Sequence, residues 1–192
     1  MKLLSFILLL LFLVCNFSQA YTITYFSRTT NRSTLTTGMT LEDFEDTTFI
    51  PGLSFSGVLY SQPAGYLSFW TDNRTNPVRY GNFTLPTNVT TLVFSVGDFD
   101  YFASGFSINN GTVYQWTGDP NYTDRSQPNI HVKVTADTGD PAISSLQIWN
   151  IGSGAWDICN MDYLAIQTGV IPEPVSAILF FLGIFFARKK MF

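Results

Sequence analysis

The sequence predicts an all-β domain, an antiparallel β-sandwich of jelly-roll type, on three observations. Short runs with period-two alternation recur between clusters of Gly, Pro, Asn and Asp. No window of eleven or more residues between Tyr21 and Thr168 carries a helical period, and the chain is rich in threonine and aromatic residues, which favour strands. About ten such runs, with no helices to cover a parallel sheet, favour two antiparallel sheets packed face to face, with a closed barrel as the alternative. No repeat of fixed period is visible, which argues against a solenoid or propeller.

The elements follow in order. The segment from Ser27 to Thr40, rich in Thr, Arg and Asn, reads as a loop or a polar edge strand. In TLVFSV, Leu92, Phe94 and Val96 fall on one face and Thr91, Val93 and Ser95 on the other, because successive strand side chains point opposite ways. FSINNGTVYQW is a hairpin, with Asn110-Gly111 supplying the two positive-φ residues of a tight turn between strands carrying Phe106 and Ile108, then Val113 and Trp116. HVKVTAD, SSLQIWNI and, less cleanly, MDYLAI repeat the period-two pattern.

The ends are of a different kind. MKLLSFILLLLFLVCNFSQA has a lysine, an apolar stretch from Leu3 to Val14 and a Ser18-Gln19-Ala20 ending, the three parts of a secretory signal peptide covering residues 1–20. The 148 residues from Tyr21 to Thr168 suit one domain with a real core. That stretch holds thirteen acidic and six basic residues, a net charge of about −7, which excludes a nucleic-acid partner. Beyond the signal only Cys159 remains, so an intrachain disulfide is impossible and a buried structural thiol is expected.

Residues 169–192 form a separate unit. Pro172-Glu173-Pro174 is followed by VSAILFFLGIFFA and then by Arg188, Lys189 and Lys190. This order resembles the PEP-CTERM sorting signal of bacteria that secrete exopolysaccharide. The resemblance implies an exosortase-type membrane protease as partner, a short transmembrane helix, and delivery to the cell surface, outer membrane or extracellular matrix after transient anchoring in the inner membrane. Physical lengths point the same way: the thirteen residues from Val175 to Ala187 make about 20 Å of helix, short of the roughly 30 Å of hydrocarbon that a permanent span crosses. The basic cluster holds the tail's end on the cytoplasmic side and leaves the domain outside. The competing expectation is a eukaryotic N-glycosylated single-span protein, since seven Asn-x-Ser/Thr triplets occur, at Asn16, Asn31, Asn73, Asn82, Asn88, Asn110 and Asn121.

Enzyme templates fit poorly. The one histidine, His131, alternates with Lys133 and Thr135 on what the pattern makes the wet face of a strand, which suits no nucleophile triad, and no His/Cys metal spacing exists. No catalytic residue is therefore assigned; a secreted glycosidase built on paired carboxylates is the rival. LEDFED gathers hard oxygen ligands of the kind calcium collects. With the late run WDICNMDYLAI, which carries Asp157 and Asp162, it resembles the first and last strands of jelly-roll carbohydrate-binding modules. That resemblance implies a structural Ca²⁺ held by Glu42 or Glu45 with Asp162, and Asp98 and Asp100 of GDFD form a second acidic candidate. Aromatic residues are the other signal, because flat rings stack on sugars. Tyr114 and Trp116 share a face and read as core, whereas Tyr101, Phe102, Trp149 and Trp156 flank turn sequences and are the candidates for a glycan site. The expected role is structural or adhesive in an exopolysaccharide or biofilm setting, with carbohydrate binding as the alternative.

Overall fold

The computed structural model describes residues 21–27, 29–57, 59–61, 65–71, 78–97, 104–116, 128–137, 140–151 and 157–170. The expected signal peptide, the Pro-Glu-Pro tail and its apolar helix lie outside these residues. Among the described residues no helix is long and apolar enough to cross a membrane.

Among the described residues the all-β expectation holds, with strands from Thr22 to Thr168 and one short helix. In chain order they are β1 (Thr22–Ser27), α1 (Arg32–Leu35), β2 (Thr40–Glu42), β3 (Ser54–Ser56), β4 (Leu59–Ser61), β5 (Tyr66–Thr71) and β6 (Val78–Gly97). Then follow β7 (Ser104–Ile108), β8 (Val113–Trp116), β9 (Pro128–Thr135), β10 (Ile143–Ile151), β11 (Asp157–Met161) and β12 (Leu164–Thr168). Rather than two separate sheets, they form one curled twelve-stranded antiparallel sheet that closes on its own core.

The 20-residue strand β6 makes this possible. Drawn straight it would run roughly 65 Å, against a diameter of about 40 Å for a domain of this size, so it must bend. The bend falls at Pro86–Thr90, where Asn88 adopts φ 61° and the ladder to β12 steps from Thr91↔Gln167 to Val89↔Thr168, leaving Thr90 as a bulged residue. One extra residue reverses the side-chain alternation. Before it Phe83, Leu85 and Val89 face the core; after it Leu92, Phe94 and Val96 do. The first half of β6 pairs with β3 and β10, and the second with β9 and β12.

The two halves close over one core. Phe83, Phe106, Ile108, Leu146 and Ile148 meet Leu92, Phe94, Val132, Val134, Leu164 and Ile166, and the Phe94 and Phe106 rings pack edge to face at 5.4 Å. As expected, Leu92, Phe94 and Val96 share the core face, but Thr91, Val93 and Ser95 on the reverse are buried as well. The cover comes from the Ser27–Thr40 region, which is neither open loop nor edge strand. Asn31 caps α1 by accepting from the Ser33 N–H at 2.9 Å, and Leu35 and Met39 pack on Val93, Tyr163 and Ala165.

This strap overturns the wet-face reading of His131. The imidazole is buried, and its Nδ1 lies 2.9 Å from the Tyr163 hydroxyl, with the Arg32 guanidinium 5.3 Å from the Tyr163 ring centre. A strand pattern shows which residues share a face, not what a distant segment lays over it.

Candidate functional site

The outer face of the other half exposes Ser54, Ser56, Tyr80, Asn82, Thr84 and Val113, with Ser107 and Trp149 buried among them. Across β3, β6, β10, β7 and β8 the register aligns Ser56, Asn82, Gln147, Ser107 and Val113 in one row perpendicular to the strands. Beside it run Ser54, Thr84 and Ser145 on one flank, and Tyr80, Trp149 and Gly105 on the other. These residues alternate with Phe55, Phe83, Leu146, Ile148 and Phe106, which face the core, so the pleat fixes their outward direction. Asn82 Oδ1 accepts from Gln147 Nε2 at 2.7 Å, which orients both amides side by side on the surface.

Trp149, expected at a glycan site, does sit on this face, but its indole is only 7 % exposed. It lies flat over Gly105: a Cβ there would collide with the ring and come 2.5 Å from the Tyr114 carbonyl oxygen. Among the described residues the exposed aromatic of this face is instead its register partner Tyr80, 47 % accessible. Nothing in the local sequence marks Tyr80, since its role depends on the β6–β10 register. Of the other expected sugar-contacting residues, Tyr101, Phe102 and Trp156 lie outside the described residues.

The β7–β8 hairpin that carries one end of the row is held by Asn109. The turn is displaced by one residue from the sequence reading: Asn109 (φ 52°) and Asn110 (φ 55°) supply the positive-φ pair, and the Gly111 N–H donates to the Ile108 carbonyl at 2.8 Å. Asn109 Nδ2 donates to the Tyr21 hydroxyl at 2.7 Å and to the Ala142 carbonyl at 2.9 Å. Its Oδ1 accepts from the Ser144 N–H and Oγ at 2.8 and 3.0 Å and from the Ser145 N–H at 3.1 Å. One side chain thus ties the hairpin to β10 and to the residue preceding β1. On the core side of β8, Tyr114 stacks on Phe106 at 5.1 Å, in agreement with its reading as core, and its phenol is pushed up by burial and then by Asp140.

The residues expected to hold calcium lie in three different surroundings. Strands β2 and β12 do pair, with Glu42 opposite Leu164. However, the buried Glu42 carboxylate accepts the Phe44 N–H on Oε1 and the Ile50 N–H on Oε2, each at 3.0 Å, and so braces the turn in which Phe44 holds φ 57°. Glu45 is exposed, and its Cγ stands 3.0 Å from the position a Cβ on Gly65 would take. Asp162 sits between β11 and β12, where burial raises its carboxyl pKa and Arg32 opposes that shift. No group of three or more His, Cys, Asp or Glu side chains able to share a metal ion occurs among the described residues. Asp98 and Asp100 lie outside them.

No family model matches the chain, and no curated protein matches it significantly. Among solved structures it is similar to a low-affinity xylan-binding module, CBM86, from the xylanolytic gut symbiont Roseburia intestinalis. The identity is 13 % over 77 % of this chain and 96 % of that one, with a TM-score of 0.36, a likeness that leaves function to be argued from the residues themselves.

Proposed function

We propose that this chain is an exported, non-catalytic β-domain that holds carbohydrate on its outer sheet face and is delivered to the cell surface or extracellular matrix through its Pro-Glu-Pro tail. One observation carries the binding part: Tyr80 stands exposed beside the hydrogen-bonded amides of Asn82 and Gln147 on a rigid sheet. An aromatic ring and oriented amides are what a sugar ring needs, one stacking on its C–H face and the others exchanging hydrogen bonds with its hydroxyls. The sorting part rests on the order of Pro172-Glu173-Pro174, the apolar run and Arg188-Lys189-Lys190. In this reading an exosortase-type protease cuts the tail, and the freed domain contributes structure or adhesion within exopolysaccharide.

Two experiments test it. Affinity electrophoresis of the protein through gels containing a panel of soluble polysaccharides should show retardation that Tyr80→Ala abolishes; equal mobility in every gel removes the binding part. Intact-mass and C-terminal peptide analysis of the protein from its native source should show loss of the residues beyond Pro174, and a retained Phe192 would instead indicate an uncut anchor. Polysaccharide turnover that vanishes on replacing one acidic residue would favour the glycosidase.

A further inference from the structure

From the shape and chemistry of the outer face we infer that its ligand is a linear, uncharged polysaccharide gripped along its length, with about four sugar units across the sheet, and not by a chain end. This rests on the carbohydrate-binding reading above and specifies it.

The length comes from the register. Five strands carry the row Ser56–Asn82–Gln147–Ser107–Val113, and four inter-strand steps of about 4.8 Å give roughly 19 Å, room for about four pyranose rings laid end to end. Its ends are open. Among the described strands β3 pairs only with β6 and β8 only with β7, so the row runs to both margins of this half of the sheet, and Ser56 and Val113 at its limits are exposed. A ligand chain longer than the row can continue past either margin.

The absence of charge comes from the side chains. The row and its two flanks present the hydroxyls of Ser54, Ser56, Thr84 and Ser145, the Asn82–Gln147 amide pair and the Tyr80 ring, with Ser107 and Trp149 buried among them; none of these described residues is acidic or basic. A uronic or sulfated chain would find no guanidinium or ammonium among these described residues, and the net charge of about −7 between Tyr21 and Thr168 repels it. A cationic chain would find no carboxylate in the row. The amide pair, which is both donor and acceptor, suits hydroxyls that are also both. The exposed ring of Tyr80 supplies a stacking surface near the first two steps of the row.

The test is calorimetric titration of the full protein with neutral β-linked oligosaccharides of two to six units (cello-, manno- and xylo-series) and with alginate. The expected result is affinity in at least one neutral series that rises about tenfold or more from dimer to tetramer and then levels. Alginate should be silent, and Tyr80→Ala and Gln147→Ala should each weaken binding about tenfold while leaving the melting temperature unchanged. Affinity already complete at the dimer, preference for alginate, or binding untouched by both substitutions would overturn this inference and leave carbohydrate binding itself standing. Silence toward every oligosaccharide and toward the polysaccharide gels would overturn both.

Discussion

Replacing Tyr163 by phenylalanine tests the covered reverse face of the sheet at neutral and alkaline pH. The phenol is 1 % exposed and shares a 2.9 Å hydrogen bond with His131 Nδ1. At pH 7 Tyr163→Phe removes that bond inside a low-dielectric site and should cost about 1–3 kcal/mol. Burial, opposed by Arg32 and supplemented by Asp162, pushes the phenol up from 10.0 to about 12. The sign follows from which state releases the proton first. Below pH 10 the residue is neutral in both states and its contribution is complete; above pH 10 the unfolded chain ionises while the fold retains the proton. Stability is therefore lost as pH rises from 10 toward 12, by roughly 3 kcal/mol for two pKa units. The variant has no such loss, and the other tyrosines titrate alike in both proteins and cancel in the difference. Urea unfolding followed by tryptophan fluorescence, at pH 7 and at intervals from 9 to 11.5, should show the wild-type advantage shrinking as pH climbs. An advantage that stays constant over that range would mean that the phenol ionises normally and that the strap does not seal it.

Other substitutions probe the elements that hold the outer face. Gly105→Ala places a methyl group against the buried Trp149 ring and 2.5 Å from the Tyr114 carbonyl oxygen, which cannot retreat without breaking the β7–β8 ladder; a loss of about 3 kcal/mol is expected from thermal melts. Asn109→Ala removes the tie between hairpin, β10 and Tyr21 and puts alanine at φ 52°, so it should cost more than Asn109→Gly by about 1 kcal/mol, a difference that urea titration of the two variants measures. Glu42→Gln leaves one of the Phe44 and Ile50 amides facing an NH₂ group and should lower stability by about 1–3 kcal/mol in the same assay. Because both Glu42 oxygens already accept amides, adding calcium or a chelator should leave the wild-type melting temperature unchanged; a rise of several degrees with calcium would restore Glu42 as a ligand.

What could be read from the chain divides along the range of the interactions. Alternation within one strand is local, so the core positions Leu92, Phe94, Phe106, Ile108, Val132 and Val134 were legible. The turn after Ile108 was placed one residue late, since Asn-Gly is the stronger turn dipeptide and only the Asn109 side-chain bonds, formed across the fold, favour Asn109-Asn110. The bulge at Thr90 leaves no distinct signal, yet it decides which half of β6 turns which side chains inward. His131 was misread because its cover is the segment around α1, far away in sequence. The open face combines register with alternation: Trp149 could be singled out as an aromatic, but the pairing that sets Tyr80 opposite it and Gly105 beneath it exists only in the folded sheet.

The strand common to both halves also determines how the domain can come apart and come together. With β6 belonging to each side, neither half can melt without stripping hydrogen bonds from a strand the other half needs, so unfolding should be a single cooperative transition. The pairings of β1 with β9 and of β2 with β12 join residues more than a hundred positions apart, such as Thr22 with Thr135 and Leu41 with Ala165. Contacts so distant in sequence form slowly, and the last of them must wait until β12 is available. A chain built this way cannot close its fold piecemeal during synthesis and completes its structure only once β12 has been made and released.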